Sequence, residues 1–223
     1  FIIYTLNDCG KRTMCGRYAI FTKSGILTEI FDLSNAVEFE ANYNAAPSHT
    51  LPIVIKDRIG LAKWGFVPPF ADQDYDGPTP INARAETVAD KPMFRESFYK
   101  RRCLIPANGY YEWLNTSQGG KIPYFISTPD KDPLAFAGLW SKVNDQVTFC
   151  IIVREAIGEI KEIHSRMPVI VPRNDIYRWF SHDPGKWHDI LQNKEAYQDL
   201  KPIEVSKDVN SVANNDKSLI RSV

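Results

Sequence analysis

The chain lacks any long apolar run. No segment approaches the roughly 20 consecutive apolar residues of a membrane-spanning helix, so no membrane partner is expected. It also lacks a dominant charge: Lys plus Arg and Asp plus Glu both total 27 in 223 residues. A protein that grips duplex DNA mainly by long-range attraction is more basic than this. A neutral chain leaves room for a local basic groove suited to a short or single-stranded ligand. Cysteine is sparse, with Cys9, Cys15, Cys103 and Cys150 alone. None forms a C-x-x-C pair, no His stands at zinc-ligand spacing, and no disulfide framework is evident. A reducing cytoplasm is the expected compartment. The opening Phe1-Ile2-Ile3-Tyr4 is too short for a signal peptide's apolar region, and no basic segment precedes it. Repeats, low-complexity tracts and regular βαβ alternation are also missing, and the last argues against a doubly wound fold.

What is present is an ordinary globular mixture, 43% hydrophobic and 24% charged. Residues 1–13 read as an N-terminal extension: an expression remnant or upstream start, or, as the sharper alternative, a pro-segment. Residues 14–223 read as one domain. A strand is expected over 17–22 and a helix over 24–33 with Ser24 as its cap. A hairpin is expected over 51–64, a surface loop over 68–80, and a helix over 92–102 with Pro92 in its first turn. Strands follow at 103–106, 109–114, 122–127, 134–140, 147–153 and 168–171. Helical patterns return at 173–181 and 186–200, and the Asn-rich tail reads as irregular. The pattern predicts one α+β domain on a curved mixed or antiparallel β-sheet. Cys103 and Cys150 lie in apolar runs and read as buried, inert thiols.

Four segments could carry chemistry. In Met14-Cys15-Gly16-Arg17-Tyr18, initiation at Met14 followed by its removal would leave Cys15 with a free α-amine beside its thiol. Such an amine, with a pKa of about 7.7–8, adds to an aldehyde to give an imine, and the thiol then closes a thiazolidine ring. The other reading is a buried strand cysteine. In Asn82-Ala83-Arg84-Ala85-Glu86 the polar residues alternate on one face of an extended segment; they suit holding an amine or phosphate, or equally a solvated face. Glu112, among the aromatics of Tyr110-Tyr111-Glu112-Trp113, reads as a proton donor or acceptor with a raised pKa, or as an edge carboxylate in water. His164, in Ile163-His164-Ser165-Arg166-Met167-Pro168, reads as a general acid or as a capping residue.

Taken in order, M-C-G-R-Y, Y-N-A-A-P (43–47), K-W-G-F (63–66), I-N-A-R-A-E-T (81–87), R-R-C-L-I-P-A-N-G-Y-Y-E-W (101–113), P-L-A-F-A-G-L-W (133–140) and I-H-S-R-M-P-V-I (163–170) resemble the SRAP family, named for SOS-response-associated peptidase. The resemblance runs from Met14 to about Val171, and weakly to Asn210. It implies a pseudo-barrel sheet with peripheral helices. It implies a DNA-damage-response protein that binds single-stranded DNA and captures abasic sites through a thiazolidine on a chain-terminal cysteine. No metal or organic cofactor is implied. Carried over, Cys15 is the nucleophile, Asn82 positions it, Glu112 is the acid/base carboxylate, and His164 assists imine chemistry. Arg17, Arg84 and Arg166 would contact phosphates. Trp64 would stack on or wedge beside a base, or belong to the core. Localisation would be cytoplasmic, on the nucleoid when DNA is bound, and a monomer is the default expectation.

Three departures stand out. Residues 1–13, if attached, make the Cys15 nitrogen an amide and forbid the ring. Val153-Arg154 replaces a Thr pair, so Arg154 is a candidate substitute contact. Asn108 replaces a common Asp, read as a turn change with little functional weight. Two other functions stay open: a thiol autopeptidase cleaving next to Cys15, and a non-catalytic single-stranded DNA-binding module.

Overall fold

β-branched and aromatic residues dominate the middle of the chain, and in the computed structural model they pair into two sheets. The structure describes residues 15–223 except 73, 194–196 and 198; the expectations for residues 1–13 lie outside the described residues. The first sheet has the order β12 (Lys201–Glu204), β8 (Lys121–Ser127), β7 (Gly109–Asn115), β1 (Tyr18–Ile20), β2 (Asn42–Ala45), all antiparallel. The second runs β11 (Arg166–Pro168), β10 (Gln146–Glu155), β4 (Arg58–Trp64), β3 (Thr50–Ile55), β6 (Arg102–Ala107), β9 (Leu134–Val143). β9 also pairs with β10, so β10, β4, β3, β6 and β9 close a ring. β5 (Asn82–Arg84) lies parallel to β10. The expected α+β domain with a curved, mainly antiparallel sheet and peripheral helices therefore forms.

Burial explains the ring. All of β6 is buried, and in β10 residues 148–154 are buried without alternation, as strands covered on both faces must be. Gly138 of β9 lets neighbouring strands close in: a Cβ there would lie 2.2 Å from Ile105 Cδ1 and 2.9 Å from Cys150 O. Cys103 and Cys150 are buried, as expected, and burial pushes both thiols up.

The helices are short and peripheral. α1 (Ser24–Phe31) buries Leu27 and Phe31. Ser24 is not its cap, because its hydroxyl turns away to accept from the Val37 N–H at 3.2 Å. α2 (Pro92–Lys100) has Pro92 in its first turn. It ends before Arg102, whose guanidinium is claimed by carbonyls of Trp179 (2.8 Å), Phe98 (2.5 Å) and Ser181 (2.7 Å) and stacks near Trp179 and Trp187. Burial pushes that guanidinium down to about 10. α3 (Ile160–Ile163), α4 (Ile176–Trp179) and α5 (Pro184–Gln192) complete the set.

The tail is not irregular. β12 joins the first sheet, and single 3-10 turns at Lys207–Asn210 and Lys217–Ile220 seat Val205, Val209, Leu219 and Ile220 over Ala19, Tyr111 and Phe125. Ser206 and Asp216 cap these turns by accepting from the Asp208 and Ser218 N–H groups. Polar composition concealed turn chemistry with an apolar residue every few positions. No helix of the described residues is long and apolar enough to cross a membrane.

Candidate functional site

Cys15, Gly16 and Arg17 lead into β1, which pairs with β7 through Tyr18↔Tyr110 and Ala19↔Gly109. That pairing carries the start of the described chain past Glu112, on β7. The Cys15 N–H donates to Glu112 Oε1 at 2.9 Å, across 97 residues of sequence. From the other side, β5 brings Asn82, whose Nδ2 donates to the Cys15 carbonyl at 3.5 Å. The chain leaving α3 brings His164, with Nδ1 3.8 Å from Glu112 Oε1. The four residues expected to act together therefore converge from four separate elements.

Electrostatics follow from burial. Glu112 is 2% exposed, and desolvation pushes its carboxyl up to about 8 even though the Cys15 N–H opposes the shift. Burial, and then the Glu112 charge, push the Cys15 thiol up as well. His164 Nδ1 lies 3.1 Å from the Arg166 nitrogen and 3.3 Å from the Arg166 carbonyl oxygen, so the backbone of one residue holds the ring in place. Cys15 adopts φ 39°, in the left-handed region, where a side-chain-bearing residue within a peptide chain costs on the order of 1 kcal/mol.

A cleft of about 1170 Å³ opens over this cluster. Its lining includes Gly16, Glu112, Trp113, Lys121, Lys161 and His164. Cys15 itself is fully buried just behind Gly16. Trp113 and the two lysines were missed by sequence reasoning. Lys121 lies beyond a turn from β7, and nothing local marks it as a neighbour of α3.

The other expected contacts divide. Arg84 is exposed, with Ala83 buried beside it, as the period-two reading of β5 requires; Glu86 falls beyond the strand in a turn. Arg166 is held by Glu86 in an ion pair. Arg17 is engaged internally, donating to Asn44 Oδ1 at 2.7 Å and Val209 O at 2.8 Å beside the Trp113 ring. Trp64 is 1% exposed; it packs on Tyr18 and Phe149 and donates from Nε1 to Ile81 O at 3.0 Å, so in this conformation no ring face is open to a base. Arg154 is buried over the Tyr197 ring with a bond to Asn193 O, away from the cleft. Asn108, read as a minor turn change, is a buried junction. Its Oδ1 accepts from the Phe21 and Thr22 N–H groups, and its Nδ2 donates to Thr22 Oγ1 and Lys131 O. Among the described residues no cluster of His, Cys, Asp and Glu could hold a metal.

Comparison with known proteins bears on this arrangement. The family described as SOS response associated peptidase (SRAP) matches residues 14–212. The chain is 36% identical over 224 residues to abasic site processing protein YoqW of Bacillus subtilis, covering 94% of this chain and all of that one. It is 26% identical to abasic site processing protein YedK of Escherichia coli, over 94% of this chain and all of that one. Among solved structures, a Bacteroides thetaiotaomicron protein superposes with TM-score 0.83 at 23% identity, covering 94% of this chain and all of that one. That likeness concerns the fold.

Proposed function

The chain belongs to the SOS response associated peptidase (SRAP) family, and from that membership and the geometry around Cys15 we propose that it processes abasic sites in DNA. The reacting form begins at Cys15 and captures the ring-opened sugar aldehyde of an abasic site in single-stranded DNA as a thiazolidine. The observation that carries this reading is the Cys15 nitrogen seated on Glu112 Oε1 at 2.9 Å. Relatives named abasic site processing proteins support the substrate.

The residues divide the work as follows. The free amine of Cys15 adds to the aldehyde carbon to give a carbinolamine. Glu112, held near 8 by burial, carries a proton at neutral pH and gives it to the departing hydroxyl, which leaves as water and yields the imine. The Cys15 thiol then closes the ring. His164 assists proton movement at the sugar oxygen, and Asn82 orients the Cys15 backbone. Arg84, Lys121 and Lys161 are the cations best placed to meet phosphates.

The test uses chain initiated at Met14 and a single-stranded oligonucleotide with one abasic site. A heat-stable adduct of the summed mass less one water is expected on a denaturing gel, and Cys15→Ala should abolish it. Retaining residues 1–13 untrimmed should block it; equal crosslinking by that form overturns the terminal-amine mechanism. Binding without any adduct would instead mark a non-catalytic DNA-binding module.

A second reading follows from the same contact. Glu112 is placed to protonate the Cys15 nitrogen as a leaving amine, so the peptide bond before Cys15 is a candidate for self-cleavage. Intact mass of full-length protein decides it: a product starting at Cys15 that disappears in Glu112→Ala supports autoproteolysis, and its persistence in that variant removes it.

A further inference from the structure

Trp113 follows Glu112 on β7, is half-buried, and lines the cleft. No other Trp, Tyr or Phe among the described residues does so. The indole is held from two directions. Its Nε1 donates to Asn210 Oδ1 at 2.8 Å, and the Arg17 guanidinium lies 5.8 Å from the ring centroid. Both partners are themselves anchored. Asn210 ends the 3-10 turn at Lys207–Asn210, which Ser206 caps. The carbonyls on either side of it, Val209 O and Ser211 O, accept from Asn44 Nδ2 at 3.2 and 2.9 Å. Arg17 donates to Asn44 Oδ1 and to Val209 O. The contacts close a circuit from Trp113 to Asn210, through the turn to Asn44, on to Arg17 and back to the indole.

An indole N–H at a surface can bond water, so the circuit is not needed to satisfy it. What the circuit fixes is the orientation of an aromatic ring on the cleft wall. Proteins hold single strands by stacking bases on such rings, and every base has a π face to offer. Ordering the ring before the strand arrives removes an entropic cost from binding. An abasic sugar has no base of its own, so a base stacked on Trp113 belongs to a neighbouring nucleotide. Trp113 is next in sequence to the carboxyl that acts on the aldehyde, which suits a nucleotide adjoining the lesion.

We propose that Asn210 is a positioning residue: by accepting the Trp113 N–H it fixes the indole as the stacking platform for the base beside the abasic sugar. This role rests on the abasic-site reading above. Asn210 touches none of Cys15, Glu112 and His164 in any hydrogen bond of the site, so it governs how readily the cleft fills and leaves the chemical steps alone.

The experiment measures adduct formation against concentration of the abasic oligonucleotide, using chain initiated at Met14. Asn210→Ala should raise the half-saturating concentration about fivefold and keep the parental limiting rate. Trp113→Phe retains a ring without the N–H and should lose at least as much; adding Asn210→Ala to it should cost nothing further. A second oligonucleotide carries tetrahydrofuran spacers, which have no base, on both sides of the abasic site. On that strand the parent chain and Asn210→Ala should saturate alike. Misfolding would lower adduct yield on both strands equally and cannot imitate this pattern. Fluorescence anisotropy with Cys15→Ala in every chain reads the same ratios without chemistry. If the parent chain forms no adduct, the crosslinking reading fails, and the anisotropy ratios still decide the role of Asn210. Parental half-saturation in Asn210→Ala, an equal loss on the spacer strand, or a further loss in the Trp113→Phe background overturns the proposal.

Discussion

His164 Nδ1 stands 3.8 Å from Glu112 Oε1, and the same carboxylate oxygen receives the Cys15 N–H. One buried oxygen therefore links the nucleophile's nitrogen to the histidine, and its protonation should govern both reaction and stability. The folded-state pKa of about 8 lies above the ordinary value of 4.5. Between those values the folded protein holds a proton that the unfolded chain has released. Stability should consequently fall as pH rises across that window, by at most about 1.4 kcal/mol per pH unit. Glu112→Gln should remove that slope in denaturant titrations at several pH values, and it should also remove the limb of the adduct-formation profile centred near 8.

Trp64 should behave as core. Trp64→Ala should cost about 3–5 kcal/mol of unfolding free energy, measured by denaturant titration. The milder Trp64→Phe should fold and bind an abasic oligonucleotide with parental affinity, because the indole has no exposed face. A binding loss in folded Trp64→Phe would restore the base-stacking role.

Asn108→Asp should destabilise the protein by about 1–3 kcal/mol while leaving the adduct rate intact. A carboxylate keeps the two bonds accepted from residues 21 and 22, yet it cannot donate to the Lys131 carbonyl that now faces Nδ2. Chemical denaturation checks the first part and gel kinetics the second.

Arg84 and Arg17 should separate cleanly. Arg84 is exposed and has no ion pair among the described residues, so Arg84→Gln should lower the slope of log affinity against log salt by about 0.7 for single-stranded DNA, with stability unchanged. Arg17→Gln should instead lower the melting temperature, because its guanidinium holds Asn44 and Val209.

The fold was legible where composition and period agreed. The β3–β4 hairpin, α2 and the long β9–β10 pair all declare themselves through apolar runs, Pro92 or alternation. β2 did not, because Asn42-Tyr43-Asn44-Ala45 is polar, and the Asn44 amide finds its acceptors only in the distant tail. Site residues were legible as motif members, yet nothing in their spacing says that Cys15, Asn82, Glu112 and His164 meet. That requires the register of β1 on β7 and the parallel placement of β5 on β10, which are tertiary facts. Trp64 shows the converse: a tryptophan in a motif looks functional until its burial is known.

The Asn44 side-chain amide donates to the carbonyls of Val209, Ser211 and Asn214, while its oxygen accepts from Arg17. This knot ties the segment carrying Cys15 to residues almost 200 positions further along the chain. During synthesis the nascent chain presents Cys15 early, as an unsupported thiol, whereas the pocket that would put it to use is complete only when residues 209–214 emerge. A polypeptide stalled or clipped before that point would hold the reactive cysteine without the knot that seats Arg17 beside it.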